Sequence, residues 1–228
     1  HRLQDRLMEV TFNGHACLTF TGTDGTTVVM DPYRSGALNG GIRHAPVQVA
    51  ADVVTVSHYH VDHSHISPDL AGEGGALPAV VDHSTREAGI DFVVRTTYHD
   101  RHQGTRMGLT GMVAFELDGV RVAHLGDIGC ALTPADMEAL GPIDLLIWPT
   151  GGTYTLGPED AQGVLDLVRP RLALPVHYEN ERCQLGMLPI DALAPQLRQA
   201  PTRPGVSTFS AGDGLPADTE VRILEPLL

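Results

Sequence analysis

The chain contains 228 residues, and its hydrophobic fraction of 42% with a charged fraction of 19% indicates a globular protein and excludes wholesale disorder. The formal net charge of -13 disfavours nonspecific binding to nucleic acid polymers and to anionic membranes. All 15 basic residues are arginine, which excludes a lysine Schiff base and a P-loop lysine.

The sequence shows no linker, repeat or low-complexity block, so we predict one domain over residues 8–228, with residues 1–7 as a leader or cloning remnant. No stretch resembles a signal-peptide core or a membrane span. Cys17, Cys130 and Cys183 lie far apart and in no ligand spacing, which is typical of reduced thiols. We therefore expect a cytoplasmic protein without a membrane partner.

Short β-rich runs separated by turn residues fill the first part of the chain. Asn13-Gly14 and Asp24-Gly25 favour hairpin turns between the first three runs. The Gly-rich segment 35–41 is predicted to be a surface loop near the functional site. The predicted strands of this part are 10–12, 17–20, 26–30 and 51–56.

Residues 57–65 follow the last of these runs and contain four histidines and one aspartate within nine residues. Imidazole and carboxylate ligands suit Zn, Mn, Fe or Ni, whereas a soft-metal site would use thiolates. The spacing allows His58 and His60 to point at one ion, and Asp62 and His63 at a second. A solvated histidine-rich loop explains the tract less well, because the tract follows a buried-type strand. The sequence therefore predicts a metal site.

The remaining chain changes from strands and hairpins to alternating helices and strands. Asp118-Gly119 between two alternating runs is a strong hairpin signal, and Thr133-Pro134 is typical of a capped helix start. This order predicts two sheets between helical layers. The predicted strands are 77–81, 92–97, 112–117, 120–125, 143–148 and 171–176, and the predicted helices are 134–140, 158–168 and 189–199.

Three later residues each follow a predicted strand and could complete the metal site. They are His99, Asp127 and His177. Because strand ends gather at one edge of a sheet, these side chains could converge on the cluster at 57–65. His99 would add an imidazole to the first ion and His177 to the second, and Asp127 could bridge both. Taken singly, each residue is more often structural, so the joint pattern carries the prediction.

Together these residues resemble the metallo-β-lactamase fold superfamily. Within that superfamily they resemble the branch of metal-dependent hydrolases that includes ascorbate-6-phosphate lactonase and N-acyl-phosphatidylethanolamine phospholipase D. The resemblance implies an α/β (α+β) fold, a four-layer αββα sandwich with two divalent ions at one edge of the sheets. Zinc is the first choice, with Mn, Ni or Fe as alternatives. The motifs that carry the resemblance are Gly14-His15, Asp31-Pro32-Tyr33, the motif from His58 to His63, Tyr98-His99-Asp100, His124 to Asp127, 151–155 and His177-Tyr178.

The resemblance also implies a ligand set, with Asp62 and Asp127 as the catalytic carboxylates. His58, His60 and His99 would hold the first metal. Asp62, His63 and His177 would hold the second, and Asp127 would bridge the two. His102 is a weaker rival of His99, and His65 is an extra histidine outside the motif.

Other residues are candidates for supporting roles around the ligands. Ligating imidazoles usually donate their second N–H to a carboxylate, carbonyl or water, and Asp31 and Asp100 are the best-placed carboxylates. His15 and His124 could line the pocket or be satisfied core histidines. The candidate donors to a developing oxyanion are Tyr154, Tyr178 and His15, and the candidate phosphate clamps are Arg34, Arg101 and Arg106.

The predicted activity is hydrolysis, in which a metal-bound hydroxide cleaves a phosphoester, phosphodiester or lactone bond of a small molecule. A diiron redox protein of the same fold is one alternative, although the glutamate common in such motifs is absent from 58–63. A noncatalytic metal-binding scaffold is the other, and it predicts missing ligands. The expected partner is a small-molecule substrate, and a homo-oligomer remains open.

Overall fold

The computed structural model describes residues 7–212 and 215–228, and in this part of the chain two β-sheets enclose a common core. The first sheet has the order β12-β1-β2-β3-β4-β5, and the second has the order β13-β11-β10-β9-β8-β7-β6. The strands are β1 (Met8–Gly14), β2 (Cys17–Thr21), β3 (Thr27–Met30), β4 (Val53–Thr55), β5 (Ala79–Val81), β6 (Thr85–Glu87), β7 (Ile90–Tyr98), β8 (Leu109–Leu117), β9 (Val120–His124), β10 (Leu145–Pro149), β11 (Leu172–Val176), β12 (Thr208–Ala211) and β13 (Glu220–Val221).

The core between the sheets is built from the alternating inward residues of both. Phe20 of the first sheet meets Phe115 of the second edge to face, with ring centroids 5.5 Å apart. Phe92 packs against the same ring of Phe115 at 5.4 Å. Each such fully buried side chain contributes roughly 1.5–3 kcal/mol through the hydrophobic effect, so these contacts fix how the sheets face one another.

Two helices cover the outer face of the second sheet, α2 (Pro134–Leu140) and α3 (Ala161–Val168). The outer face of the first sheet is covered mainly by loops that bring in Ile42, Val47 and Leu70. A single turn, α1 (Ala37–Gly40), lies in these loops. The predicted α/β sandwich of two sheets is confirmed, with an outer layer on the first sheet that contains little regular helix.

The predicted helix over 189–199 is wrong. The segment forms two 3-10 turns, Ile190–Ala192 and Ala194–Gln196, because Pro195 lacks an N–H and disfavours helical geometry in the residue before it. The predicted helix over 134–140 is confirmed as α2, and the one over 158–168 begins with a 3-10 turn before α3. The short edge strands β6, β12 and β13 were not predicted.

The strands that matter for the site end at one edge of the sandwich. β3, β4 and β5 are parallel neighbours, as are β9, β10 and β11, so their carboxyl ends share an edge within each sheet. In the described residues, no helix has the length and apolar character required to cross a bilayer. The single-domain interpretation stays a prediction, and the predicted leader falls largely on residues 1–6, outside the described part of the chain.

Candidate metal centre

Backbone hydrogen bonds join the two sheets at the edge where the predicted ligands meet. The Gly111 N–H of β8 donates to the Ser57 carbonyl, which directly precedes the histidine motif, at 2.7 Å. The His177 N–H, after β11, donates to the His15 carbonyl of the first hairpin at 2.9 Å. Ligands from the first sheet therefore have fixed positions relative to ligands from the second.

A tight turn after β9 delivers Asp127 to the centre of this edge. Gly126 has a φ of +56°, and a Cβ atom there would lie 2.6 Å from both the Gly111 carbonyl oxygen and the Thr110 hydroxyl. Only glycine therefore fits both the backbone angle and the space. The Thr110 hydroxyl also accepts the Asp127 N–H at 3.2 Å, which orients the aspartate.

The structure brings the predicted ligands together in two groups. Within each group, one ligand atom from each residue lies within 4.8 Å of the others. The first group is His58, His60 and His99, and the second is Asp62, His63 and His177 joined by His15. These groups match the two sets predicted for the first and second ions, with His15 added.

A single oxygen atom, Oδ2 of Asp127, touches both groups. It lies 3.3 Å from His99 Nε2 and 3.7 Å from His58 Nε2 in the first group. It lies 3.1 Å from His63 Nε2 and 3.2 Å from His177 Nε2 in the second. The Asp127 carboxylate thus lies between the two groups, and its bridging role stays a prediction.

Hydrogen bonds on the far side of three imidazoles turn Nε2 toward the centre of the site, where His58 Nε2 lies 3.0 Å from His60 Nδ1. His63 Nδ1 donates to Asp31 at 2.9 Å, and His99 Nδ1 donates to the Tyr154 carbonyl at 3.1 Å. Because the Ser57 hydroxyl donates to Asp31 at 2.5 Å, it accepts the hydrogen of His58 Nδ1 at 2.9 Å. Such contacts orient metal-binding imidazoles in known sites.

Unsatisfied buried atoms at the centre fit a metal better than they fit the protein alone. Among the described residues, His63 Nε2, His99 Nε2 and Asp127 Oδ1 are buried without a hydrogen-bond partner. An unpaired buried polar atom costs about 1–3 kcal/mol, and a bound cation would remove that cost. The donor set of imidazoles and carboxylates suits Zn, Mn, Fe or Ni. The residues present therefore fit the predicted ions.

The electrostatics of the centre also favour positive charge. Burial opposes protonation of His63, but Asp127 and Asp62 beside it raise its pKa well above 6.5. Burial likewise opposes ionisation of Asp127, yet His177 and His63 hold its pKa well below 3.8. Burial, with His63 close by, lowers the pKa of His58 to about 3, so this imidazole is neutral and able to bind a metal.

His15 contacts the Asp62 carboxylate from the buried side. The sequence had predicted that His15 lines the pocket or is a core histidine. Its Nε2 donates to Asp62 Oδ2 at 3.1 Å, so its Nδ1 accepts the Cys183 thiol hydrogen at 3.4 Å. Burial, with His177 nearby, lowers the pKa of His15 to about 4. His15 therefore holds one carboxylate of the second group in place as a neutral imidazole.

Asp31 lies where the sequence predicted, but Asp100 does not. Both Asp100 oxygens accept backbone N–H groups of the following loop, at residues 102, 104, 106 and 107. Burial opposes ionisation, but these four donors lower the pKa of Asp100 to about 2. Asp100 therefore shapes its own loop and contacts no ligating imidazole.

Two other supporting candidates are also found in structural positions. His124 donates to the Ala16 carbonyl at 2.8 Å and accepts the Gly126 N–H at 2.9 Å, so it is a satisfied core histidine that holds the Asp127 turn. Tyr178 lies in the core between the sheets, its ring 6.5 Å from that of Phe12, and burial raises its pKa.

His65, which is outside the motif, and His102, the weaker rival of His99, both lie outside the two ligand groups. His102 is exposed in the loop after His99. Of the arginines considered as phosphate clamps, Arg101 pairs with Asp160, and its side chain is exposed. The sequence analysis did not predict the role of Ser57, whose hydroxyl contacts both Asp31 and His58. Its position directly before the histidine motif could have indicated this role.

A cavity of about 480 Å³ opens over the metal centre. Its floor is formed by His60, Asp62, His99, Asp127 and His177. Its rim is formed by apolar and aromatic side chains, which are Leu38, Tyr59, Val61, Met107, Tyr154 and Leu185. Cavities of 300–1,000 Å³ accept small molecules, so a substrate could reach the centre from this side.

With this geometry established, comparison with known proteins identifies the family. A family model described as a beta-lactamase superfamily domain matches residues 9–177. The chain belongs to this family. Among relatives of this superfamily member, a metal-dependent hydrolase of Thermus thermophilus is 31% identical over 197 residues, covering 76% of this chain and 85% of the relative. A metal-dependent hydrolase of Thermococcus onnurineus is 29% identical over 199 residues, covering 76% and 86%.

A solved structure supports the same assignment. A candidate Zn-dependent hydrolase of the metallo-beta-lactamase superfamily from Thermotoga maritima superposes with a TM-score of 0.75 and 31% identity, covering 96% of this chain and 98% of that one. The predicted superfamily is therefore confirmed, and the protein is a metal-dependent hydrolase of the metallo-β-lactamase superfamily. The branch predicted within the superfamily stays a prediction.

Proposed function

We propose that the protein is a dinuclear hydrolase that cleaves a phosphodiester or lactone bond of a small molecule. The observation that carries this proposal is the position of Asp127 Oδ2, within 3.7 Å of imidazole nitrogens from both ligand groups. One buried carboxylate oxygen shared by two ligand groups is the arrangement that a pair of bridged ions requires.

The seven predicted ligands divide between the two ions as their groups do. His58, His60 and His99 would hold the first ion, Asp62, His63 and His177 the second, and Asp127 both. We propose zinc first, because the Thermotoga maritima structure is described as a candidate Zn-dependent hydrolase. When bound, such ions supply Lewis acidity, which brings the pKa of water to near neutrality and polarises the electrophile.

The chain's own residues hold and orient the reacting groups. Asp62 lines the cavity, and its Oδ2 is held by His15, so Oδ1 is available to orient a nucleophilic water. The Tyr154 hydroxyl already donates to the Leu185 carbonyl at 3.1 Å, and Tyr178 lies in the core. Neither tyrosine therefore presents a free donor to a developing oxyanion in this arrangement.

The cavity wall favours a phosphodiester or lactone over a phosphomonoester. No arginine is among the side chains that line the described cavity, and the chain contains no lysine. A dianionic phosphomonoester usually needs such cations in addition to metals. A phosphodiester carries one negative charge and a lactone none, so the proposed ions alone could balance either. The small-molecule substrate and an assembly of several copies remain proposals.

Metal analysis combined with an assay tests the proposal. We expect two ions per chain, hydrolysis of bis-p-nitrophenyl phosphate or of a simple lactone, and loss of both with a chelator. Asp127→Ala should reduce metal content and lower kcat/KM by about 100-fold or more, since metal ligands and their supports each contribute at least 10–100-fold. Asp136→Asn neutralises another buried carboxylate, which contacts Thr133 and Arg95 and lies outside both ligand groups, and should retain both ions.

Three results would contradict the proposal in different ways. One ion per chain in the active enzyme would contradict the dinuclear site. Unchanged turnover in Asp127→Ala would contradict the bridging role. A coloured, iron-loaded protein that hydrolyses no ester would instead favour the diiron redox alternative.

A further inference from the structure

We infer that the cavity rim is a binding subsite for an uncharged, apolar substituent, such as an alkyl or aryl group, on the substrate of this hydrolase. The inference rests on the proposed function for the reacting bond and concerns the other end of the substrate. Its evidence is a strained loop, a second loop packed on it, and a described cavity that no basic side chain lines.

The loop at 35–41 places the Leu38 side chain at the opening, although leucine disfavours the backbone conformation that this requires. Leu38 and Asn39 both have left-handed φ values, 53° and 57°. This conformation costs a residue with a Cβ atom roughly 1–2 kcal/mol, and leucine is not among the residues that tolerate it. Leu38 is nevertheless 46% exposed and lines the cavity. Strain that displays an apolar side chain beside a reactive centre points to a binding role.

A second loop packs against the first and supplies another apolar wall. A Cβ atom on Gly41 would lie 2.5 Å from Leu185 Cδ2, so the glycine makes room for this leucine. The Gln184 N–H donates to the Gly41 carbonyl at 2.8 Å, and Ile42 forms a β-bridge with Cys183. Leu38 and Leu185 are thereby fixed on the same side of the opening.

The apolar rim is connected to the metal floor through Tyr154. The Tyr154 hydroxyl donates to the Leu185 carbonyl at 3.1 Å, and its own carbonyl accepts His99 Nδ1 at 3.1 Å. Elsewhere on the rim, the Asp100 carboxylate accepts the Met107 N–H at 2.7 Å and holds that residue at the cavity. The rim is therefore built into the same network that orients a predicted ligand.

The side chains at the rim offer no charged partner for an anionic group. The six rim side chains are all apolar or aromatic, and the net charge of the chain is -13. Tyr59, which is 68% exposed, donates its hydroxyl hydrogen to Asp82 and presents its ring to the opening. A phosphate or carboxylate at this position would meet no cation among the side chains that line the cavity and would lose its water. An alkyl or aryl group would bury apolar surface.

Binding of a probe that is not hydrolysed tests the subsite apart from catalysis. The probes are methyl-, butyl- and octylphosphonic acid, titrated calorimetrically into the metal-loaded protein. Their common head group would bind the metal centre, and only the tails differ. We expect Kd to fall roughly 2- to 4-fold for each methylene between methyl and butyl, as burial of apolar groups predicts. A Kd that is the same for all three tails would overturn the inference.

Two matched variants separate the rim from general surface effects. Leu38→Asn introduces a residue that tolerates a left-handed φ and removes the apolar side chain. It should weaken butylphosphonic acid binding by about 3- to 10-fold and leave methylphosphonic acid binding unchanged. Leu77→Asn, at an exposed leucine outside the cavity that is 59% accessible, should change neither. An equal loss for both probes in Leu38→Asn would assign the residue to loop structure instead.

An assay with methyl and butyl p-nitrophenyl phosphate distinguishes this inference from the proposed function. A chain-length effect on Kd without turnover of any ester or lactone would support the subsite and contradict the proposed bond. Turnover of both diesters with equal kcat/KM would support the proposed bond and contradict the subsite.

Discussion

The fold holds the Asp127 carboxylate in a buried position that suits a bound cation. Its Oδ2 is surrounded by imidazoles, while its Oδ1 is buried without a partner among the described residues. An unpaired acceptor of this kind costs about 1–3 kcal/mol, which the rest of the fold must offset. The turn at Gly126 and the Thr110 hydroxyl hold the residue in this unfavourable place. The metal-free centre is therefore preorganised at a cost in stability.

We predict that His15 controls metal affinity although it is not one of the seven predicted ligands. Its Nε2 donates to Asp62 Oδ2, and loss of such a support typically reduces metal affinity by about 10- to 100-fold. His15→Ala should therefore release the ion of the second group first, leaving about one tightly bound ion per chain. Titration with a chromophoric chelator would measure the two dissociation constants separately.

Two further variants make this prediction specific to the hydrogen bond. His15→Gln retains an N–H donor of similar reach and should recover part of the lost affinity. His102→Ala removes an exposed histidine outside both groups and should leave both dissociation constants unchanged. Equal loss of both ions in His15→Ala would show that the residue supports the fold generally.

Sequence spacing predicted which residues converge, but it identified only some of the neighbours that support them. The convergence of His99, Asp127 and His177 followed from their positions after strands that end at one edge. Asp31 and Asp100 have the same kind of position, yet only Asp31 contacts an imidazole. The Asp100 carboxylate is captured by amides of its own loop, a local competition that depends on backbone geometry and leaves no sequence pattern.

At the scale of elements, strong local signals were reliable and weak ones were not. The Asp118-Gly119 hairpin and the capped start at Thr133 are where they were predicted. Segment 189–199 has helical hydrophobic spacing, but Pro195 overrides that pattern. Edge strands β12 and β13 depend on pairing with distant strands, and local propensity does not encode such contacts.

Helix α2 begins with a reciprocal capping box whose contribution to stability can be measured. Asp136 N–H donates to the Thr133 hydroxyl at 3.2 Å, and Asp136 Oδ2 accepts the Thr133 N–H at 2.9 Å. Arg95 Nε of β7 donates to Asp136 Oδ1 at 2.9 Å and ties the helix to the sheet. We predict that Thr133→Ala lowers the free energy of unfolding by about 1 kcal/mol, measured by urea denaturation.

The pH dependence of Asp136→Asn should follow from the same contacts. Burial opposes ionisation of Asp136, but Thr133 and Arg95 lower its pKa below the usual 3.8. A depressed carboxyl pKa stabilises the fold above the unfolded value and loses this effect as pH falls through the folded value. The difference between wild type and Asp136→Asn should be constant from neutral pH to about pH 5 and shrink below 3.8. Asp91→Asn, at an exposed ion pair with Arg86, should show almost no difference at any pH.

At the scale of the whole molecule, the metal centre lies where the two sheets are held together at one edge. The first sheet supplies the motif at 57–65, and the second supplies His99, Asp127 and His177. Ions shared between the groups would link the sheets directly, in addition to the core that both enclose. Stability of the whole sandwich should therefore depend on metal.

We predict that complete chelation lowers the melting temperature by roughly 5–11 °C without unfolding the protein at room temperature. A ligand present at 100 times its Kd stabilises the native state by about 2.7 kcal/mol, and each kcal/mol shifts the melting temperature of a chain this size by about 2–4 °C. The core between the sheets contains no ligand, so it should keep the metal-free sandwich folded. Calorimetry at fixed free metal concentrations, before and after chelation, would measure the shift.

In Asp127→Ala the chelator should change the melting temperature much less, because the residue that joins the two groups is gone. A melting temperature that does not respond to chelator in the wild-type protein would show that no ion links the two sheets.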